Sequence, residues 1–332
     1  MATLLDIARK TKRSISTVSV VLRGDAKRFG ISAATENAIR RTAASLDYVK
    51  NETARTMVSG KSRILGFISG TRSEVEYSGR LLYGALEKAS MEGYAFRVFH
   101  YNSDEPEHLC NTLLSRQIRG ILISGSQGRA NTDRIVEECA RHGIHCVTVN
   151  LSNQRQGFGV VSDDARGMAE MVVLLYQGGH RKIALFSCGT ADEFARRRLK
   201  GYAAGMKKCG LPESVFTPVR ERYPALSKLV RSGFSAVLCD SDYTAAKLMQ
   251  QAYRTGIRVP ETISVCGFAG MQVADYAALP LTTISQDFEG MGEKAAALLI
   301  SVLENGTGPV RGKVKNISLP TRIQIQQTTK GI

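Results

Sequence analysis

The sequence predicts a small all-α helix-turn-helix domain followed by a larger α/β body with parallel sheets, and three observations carry that prediction. The first fifty residues hold helix caps and helical periodicity but no strand pattern. Residues 1–63 carry thirteen Lys and Arg against five Asp and Glu, a net of +8 out of +15 for all 332 residues, which points to a polyanionic partner there. Beyond Arg63, short β-branched runs alternate with amphipathic segments over about 260 residues, the pattern of parallel sheets with helices on both faces.

Taken in order, Thr3 is placed to cap a helix over Leu4–Thr11, with Asp6 three residues on as the second half of a capping box. Lys12-Arg13 breaks it. Ser14 caps a second helix, Ile15 to Leu22, whose Val18, Val21 and Leu22 face a small core, and Gly24 ends it. Ser32 or Thr35 opens a third, with Ala38, Ile39, Ala43 and Leu46 on one side. Two helices joined by a tight turn and closed by a third describe a helix-turn-helix unit. Residues 51–61 are polar with small side chains, too poor in apolar surface for an isolated helix, and read as a linker that orders on binding. Strands are expected over Ile64–Ser69, Ala95–His100, Gly120–Ser124, His145–Asn150, Lys182–Ser187, Ala236–Cys239 and Ser264–Gly267. The helical stretches between them are Leu81–Glu92, Glu107–Arg116, Thr132–His142, Ala165–Gly178, Arg196–Cys209 and Tyr243–Thr255. That length accommodates two similar lobes. The expected division is 1–48 for the DNA-binding domain, 49–62 for a hinge, and 63–332 for the body.

Several function classes are excluded. The longest apolar run, Ala295–Ile300, is far too short to cross a bilayer, and the N-terminus has no export signal, so a cytoplasmic protein is expected. Seven dispersed cysteines without a Cys-x-x-Cys pair fit reduced thiols. His100, His108, His142, His145 and His180 have no metal-ligand spacing, so no metal is expected. There is no Gly-x-Gly-x-x-Gly after the first strand, no Gly-x-Ser-x-Gly elbow and no phosphate-binding Walker loop. Gly125-Ser126-Gln127-Gly128 reads as an ordinary loop. Neither a cofactor nor an enzyme is expected.

Short motifs then recur in a telling order: Thr17-Val18-Ser19 before Val21-Leu22, Ile31-Ser32-x-x-Thr35, Leu46-x-Tyr48, Asn51-x-x-Ala54-Arg55, Gly178-Gly179-His180-Arg181-Lys182-Ile183-Ala184, Arg198-x-x-Gly201-Tyr202, Gly256-Ile257-x-Val259-Pro260, Ile263-Ser264-Val265-x-Gly267-Phe268 and Leu281-Thr282-Thr283-Ile284. In this sequence order they resemble the lactose/galactose repressor family nearly end to end. The resemblance implies a body similar to periplasmic sugar-binding proteins, with two lobes crossed by three strands. Lobe one would hold about 63–161 and 287–317, lobe two about 162–286 and 318–332. It further implies a repressor of double-stranded operator DNA, acting as a homodimer or a dimer of dimers, with a small-molecule effector between the lobes. A regulator or activator without an effector, and a solute-binding protein, are the alternatives.

In those roles Ile15, Ser16, Thr17 and Val20 would read base edges, and Ser14, Ser19, Arg23 and Asn51 would meet phosphates. Thr3 joins the DNA-facing set at the first helix. Ala54 and Met57 occupy the places from which relatives wedge the minor groove. Two departures stand out: Val20 replaces the usual arginine, and Lys12 the usual turn glycine, whose charge with Arg13 would favour phosphates. For the effector, Arg198 matches the family's ligand arginine, with Ser124, Ser162 and Gln286 at other lining positions. Ala269, Ser241 and Asn150 replace an aspartate, an asparagine and an aspartate, while Glu76, Tyr77 and Arg80 populate the entrance. The loss of acceptors favours an unusual carbohydrate or an anionic, phosphorylated or carboxylated metabolite.

Overall fold

The capping chemistry of the first helices is realised as read. In α1 (Leu4–Thr11) the Thr3 side chain accepts from the Asp6 N–H, and the Asp6 carboxylate accepts from the Thr3 N–H at 2.9 Å. Lys12 closes α1 in the left-handed conformation, φ 53°. Ser14 caps α2 (Ile15–Arg23), and Gly24 ends it at φ 94°, where an L side chain would be strained. Ser32, rather than Thr35, caps α3 (Ala33–Ser45). Ile7, Val18, Val21, Ala26, Ile39 and Ala43 close the core of this three-helix unit.

The computed structural model describes residues 2–49, 62–70, 75–101, 105–125, 128–152, 157–188, 193–218, 225–277, 279–306 and 314–331. Asn51, Ala54 and Met57, and with them the hinge, lie outside the described residues. The chain divides into two units, Met1–Lys61 and Ser62–Ile332.

The larger unit holds two six-stranded sheets. The first contains β1 (Ile64–Ser69), β2 (Ala95–His100), β3 (Gly120–Ser124), β4 (His145–Val149), β5 (Gly157–Ser162) and β11 (Val314–Leu319), all parallel, in the order β11-β5-β4-β3-β1-β2. The second contains β6 (Ile183–Phe186), β7 (Val215–Phe216), β8 (Ala236–Cys239), β9 (Ser264–Ala269), β10 (Thr282–Ser285) and β12 (Arg322–Gln324), in the order β12-β10-β9-β8-β6-β7. Only β12 runs antiparallel to its neighbour. The central strands are buried on both faces, as parallel strands between helices must be.

Helices α4 (Val75–Met91), α5 (Pro106–Ser115), α6 (Arg129–Arg141) and α12 (Phe288–Asn305) belong to lobe one. Helices α7 (Asp164–Gln177), α8 (Glu193–Lys208), α9 (Leu226–Arg231), α10 (Asp242–Thr255) and α11 (Gln272–Tyr276) belong to lobe two. The chain passes between sheets after Ser162, after Ser285 and after Leu319, so lobe one's sheet keeps Ser162 and Ser318-Leu319, which the expected boundaries assign to lobe two. One apolar cluster runs through both lobes, from Leu65 and Tyr77 to Phe268 and Phe288, and forms the floor between them.

Candidate effector cleft and DNA-reading helix

A cleft between the lobes, open at its mouth, holds a cavity of about 170 Å³. Its aromatic and apolar walls are Tyr77, Phe194, Tyr243, Phe288, Leu151 and Met271. Seven of the ten expected effector residues line it: Glu76, Tyr77, Asn150, Arg198, Ser241, Ala269 and Gln286. Three stand elsewhere. Ser124 and Ser162 end β3 and β5 fully buried beneath the cleft, and Arg80 turns toward α12. The Arg80 guanidinium pairs with both oxygens of Glu289, at 2.7 and 2.9 Å, and donates to the Gly270 carbonyl of lobe two at 2.8 Å. The pair to Glu289 pushes the Arg80 pKa up; burial opposes ionisation of Glu289, but the arginine outweighs it and holds that carboxyl below its ordinary value.

Arg198 is almost completely buried, and its donors are already engaged. Nε donates to Asp164 at 3.3 Å, one terminal nitrogen to the Asp240 carbonyl at 2.5 Å, and the other to Gln286 Oε1 at 3.1 Å. Its plane stacks on Phe268 at 3.9 Å and Phe194 at 4.8 Å from the ring centres. Gln286 returns a bond to Asp164 at 3.0 Å, so the buried Asp164 neutralises the arginine. Ser241 spends its hydroxyl on the N-cap of α10. Ala269 adopts φ 113°, unusual for a side-chain-bearing residue, and Gly270 follows at φ 71°. Asp242, which the sequence did not single out, braces that turn: its carboxylate accepts from the Met271 N–H at 2.7 Å and the Thr283 hydroxyl at 2.5 Å. Burial raises the Asp242 pKa.

Arg129 and Glu193, like Asp164, are further charged residues that sequence reasoning missed. Arg129 on lobe one forms an ion pair with Glu193 on lobe two and donates to the Ser152 hydroxyl at 3.0 Å. Glu193 also accepts from the Ser152 N–H at 3.0 Å and from Arg197 at 2.6 Å. Burial lowers the Arg129 pKa. On the opposite side, Glu76 of lobe one accepts from the Gln272 N–H at 2.8 Å and the Tyr243 hydroxyl at 3.5 Å, both of lobe two. Gly125 and Gly128, from the loop read as ordinary, also line the cleft, and the Gly125 N–H donates to the Tyr77 hydroxyl at 2.9 Å. Spacing alone identified neither Arg129 nor Glu193, because each acquires its role from a partner far away in sequence.

On the helix-turn-helix unit, Ile15 and Ser16 are exposed on α2, and Ser19 and Val20 are half-buried. Ile15 keeps 47% of its surface in solvent. Ser14 and Thr17 bond each other at 2.8 Å, and Ser14 Oγ also accepts the Thr17 N–H at 3.1 Å, so both hydroxyls serve the cap. Thr3 is tied to Asp6 in the same way, at 2.7 Å. Arg23 lies 3.8 Å from Asp25 in an exposed pair, while Lys12, Arg13, Lys27 and Arg28 are exposed around the turn and the α2–α3 loop.

Two parallel α/β lobes around a cleft, in one chain with a basic helix-turn-helix unit, define the class of ligand-responsive DNA-binding regulators. A family model described as a periplasmic binding protein-like domain matches residues 172–329. The chain is 27% identical over 319 residues to the HTH-type transcriptional repressor CytR of Escherichia coli strain K12, covering 91% of this chain and 90% of that one. It is 28% identical over 315 residues to catabolite control protein A of Streptococcus mutans, covering 91% of each. Its fold superposes on the Lac repressor dimer bound to operator and the anti-inducer ONPF with a TM-score of 0.80, at 22% identity and 99% coverage of both chains. Over nine-tenths of its length the chain is thus similar to CytR and to catabolite control protein A, and over nearly its whole length it shares the fold of the Lac repressor.

Proposed function

We propose that this chain is a sequence-specific transcriptional repressor whose operator affinity is set by a small metabolite bound in the cleft between its lobes. The observation that carries the reading is the presence, in one chain, of a basic reading helix and a two-lobed cleft with convergent polar groups. It is not read as an enzyme, because CytR, which it matches over nine-tenths of its length, is a transcriptional repressor. Among the described residues no helix is long and apolar enough to cross a membrane. Two copies are needed to present two reading helices to a two-fold operator. Tyr253 and Tyr276, 90% and 80% exposed on one apolar face of lobe two, are surface that a second copy would cover.

The effector reading narrows to an uncharged, polyhydroxylated molecule of carbohydrate size. Asp164 and Glu193 already pair the cleft's arginines, so a phosphate or carboxylate would have to displace an internal carboxylate. Phe194, Tyr243 and Tyr77 supply flat faces for a sugar ring. Thermal-shift screening of neutral sugars beside their phosphorylated forms tests this. Stabilisation by the neutral compounds supports the reading, since about 100-fold excess over Kd adds about 2.7 kcal/mol; stabilisation by the phosphorylated forms alone overturns it. Operator binding is tested by selecting bound fragments from genomic DNA, with enrichment of a short palindrome as the expected result.

A further inference from the structure

We infer that α2 reads thymine methyl groups, through Ile15 and Val20, and that the half-site is specified at those positions by A·T rather than G·C pairs. The inference rests on the operator-binding reading above. At about 100° per residue, Ile15, Ser19, Arg23, Ser16 and Val20 fall within roughly 140° of arc, opposite the core-facing Val18 and Val21. The first eight residues of α2 contain no Lys, Arg, Asn or Gln, the side chains that fork onto guanine or adenine in the major groove. The one cation on this arc, Arg23, is the last residue of the helix and lies 3.8 Å from Asp25.

What remains on the face is two β-branched apolar side chains and two serines. Neither Ile15 nor Val20 takes part in the core of this unit, which is built from Ile7, Ala8, Val18, Val21, Ala26, Ile39 and Ala43. Ile15 is exposed and Val20 half-buried, so both keep apolar surface that the packing of the unit leaves over. Lys12, Arg13, Lys27 and Arg28 surround it with exposed positive charge, which commits it to a polyanion rather than an apolar protein surface. Within the major groove the one apolar feature of a base edge is the C5 methyl of thymine. A reading face of branched hydrocarbon and hydroxyl is complementary to that group and offers guanine no bidentate partner. Ser16, whose hydroxyl makes no hydrogen bond among the described residues, is free to donate or accept at the neighbouring base.

The test is selection from a random duplex pool by the full-length protein, followed by replacement of each selected thymine by uracil, which keeps the pairing and removes only the methyl. The expected result is A·T enrichment at two positions per half-site, with uracil weakening binding about four-fold for each methyl removed. Val20→Ala should abolish the sensitivity to uracil at one position and Ile15→Ala at the other. Val20→Arg should move the preference at its position toward guanine. A selected half-site that is G·C at those positions, or uracil duplexes bound as tightly as thymine ones, overturns the inference while leaving the operator reading intact. A protein that enriches no sequence at low salt overturns the operator reading, and this inference with it.

Discussion

At the residue scale, Lys12 shows how a sequence departure becomes a measurable cost. The turn requires a left-handed residue, and a lysine there bears about 1 kcal/mol that glycine would not. Lys12→Gly should raise the stability of the helix-turn-helix unit by about that much, read as a shift in thermal unfolding. It should also weaken DNA binding and flatten its salt dependence by about one phosphate contact, read from the slope of affinity against salt. Loss of stability would mean that the lysine side chain contributes to the cap.

His180 gives a second residue-scale prediction. Its Nε2 faces the Lys330 carbonyl at 3.3 Å, which can only accept, so Nε2 carries the proton and Nδ1 accepts from the Ser235 hydroxyl at 2.9 Å. Burial holds its pKa below the ordinary histidine value. The unfolded chain therefore takes up a proton near pH 6.5 while the folded chain still resists. Stability contributed by the neutral ring is complete above about pH 6.5 and declines as pH falls below it. Thermal unfolding followed from pH 7.5 to 5.5 should show that decline, and His180→Gln should reduce it. Arg198 was legible from its motif, whereas Arg129, Glu193 and Asp242 were not. A motif marks a residue by its sequence neighbours, but these three acquire meaning only from Ser152, from each other across the cleft, and from Thr283.

At the scale of elements, alternation was legible where strands are apolar and bounded by turns, and illegible where they are not. β5 begins Gly157-Phe158-Gly159, two glycines that weaken a strand signal, and β11 is an edge strand with mostly exposed side chains. β12 has three residues and β7 two, too few to show a period. The largest omission is α12. The run Ala295–Ile300 was weighed only as a membrane span and rejected; in the structure it is the buried centre of an 18-residue helix, packed against α4. Its buried residues Met291, Ala295, Leu299 and Val302 do keep a helical spacing, but the half-buried Ala297 and Leu298 fill the gaps between them with apolar side chains and blur the one-sided pattern by which helices are recognised. Its packing depends on close approach. A Cβ at Gly292 would sit 1.9 Å from the Leu81 carbonyl oxygen, and one at Gly84 2.0 Å from that of Glu289. Gly292→Ala is therefore expected to push the helices apart and cost about 2–3 kcal/mol, measured by denaturant unfolding. An exposed control, Gly79→Ala, meets no atom within 4 Å and should cost nothing by clash.

At the scale of the whole sensing body, polar ties cross between the lobes: Arg129 and the Ser152 N–H to Glu193, Arg197 to Asn150, Glu76 to Gln272 and Tyr243, and Arg80 to the Gly270 carbonyl. They sit at different edges of the cleft, so together they resist both hinge opening and twist. A ligand changes a two-state equilibrium only by the difference in its affinity for the two states. In a body already tied shut, an effector must either add contacts to the closed form or replace ties with its own hydroxyls. Glu193 is the residue on which the first tie converges, accepting from Arg129, Arg197 and the Ser152 N–H. Because these groups are partly solvated, Glu193→Ala should cost only about 1–2 kcal/mol of stability rather than the full penalty of a buried pair. Its larger effect should be on shape. Small-angle scattering of the ligand-free protein should give a compact body for the parent chain and a larger radius of gyration for Glu193→Ala. The variant's scattering should move back toward the parent curve at saturating effector. Identical curves would mean that the apolar floor from Leu65 to Phe288, and not the charged edge, holds the lobes together. The Arg129→Met/Glu193→Leu double variant separates the two causes, because it removes the ion pair without leaving either charge unpaired.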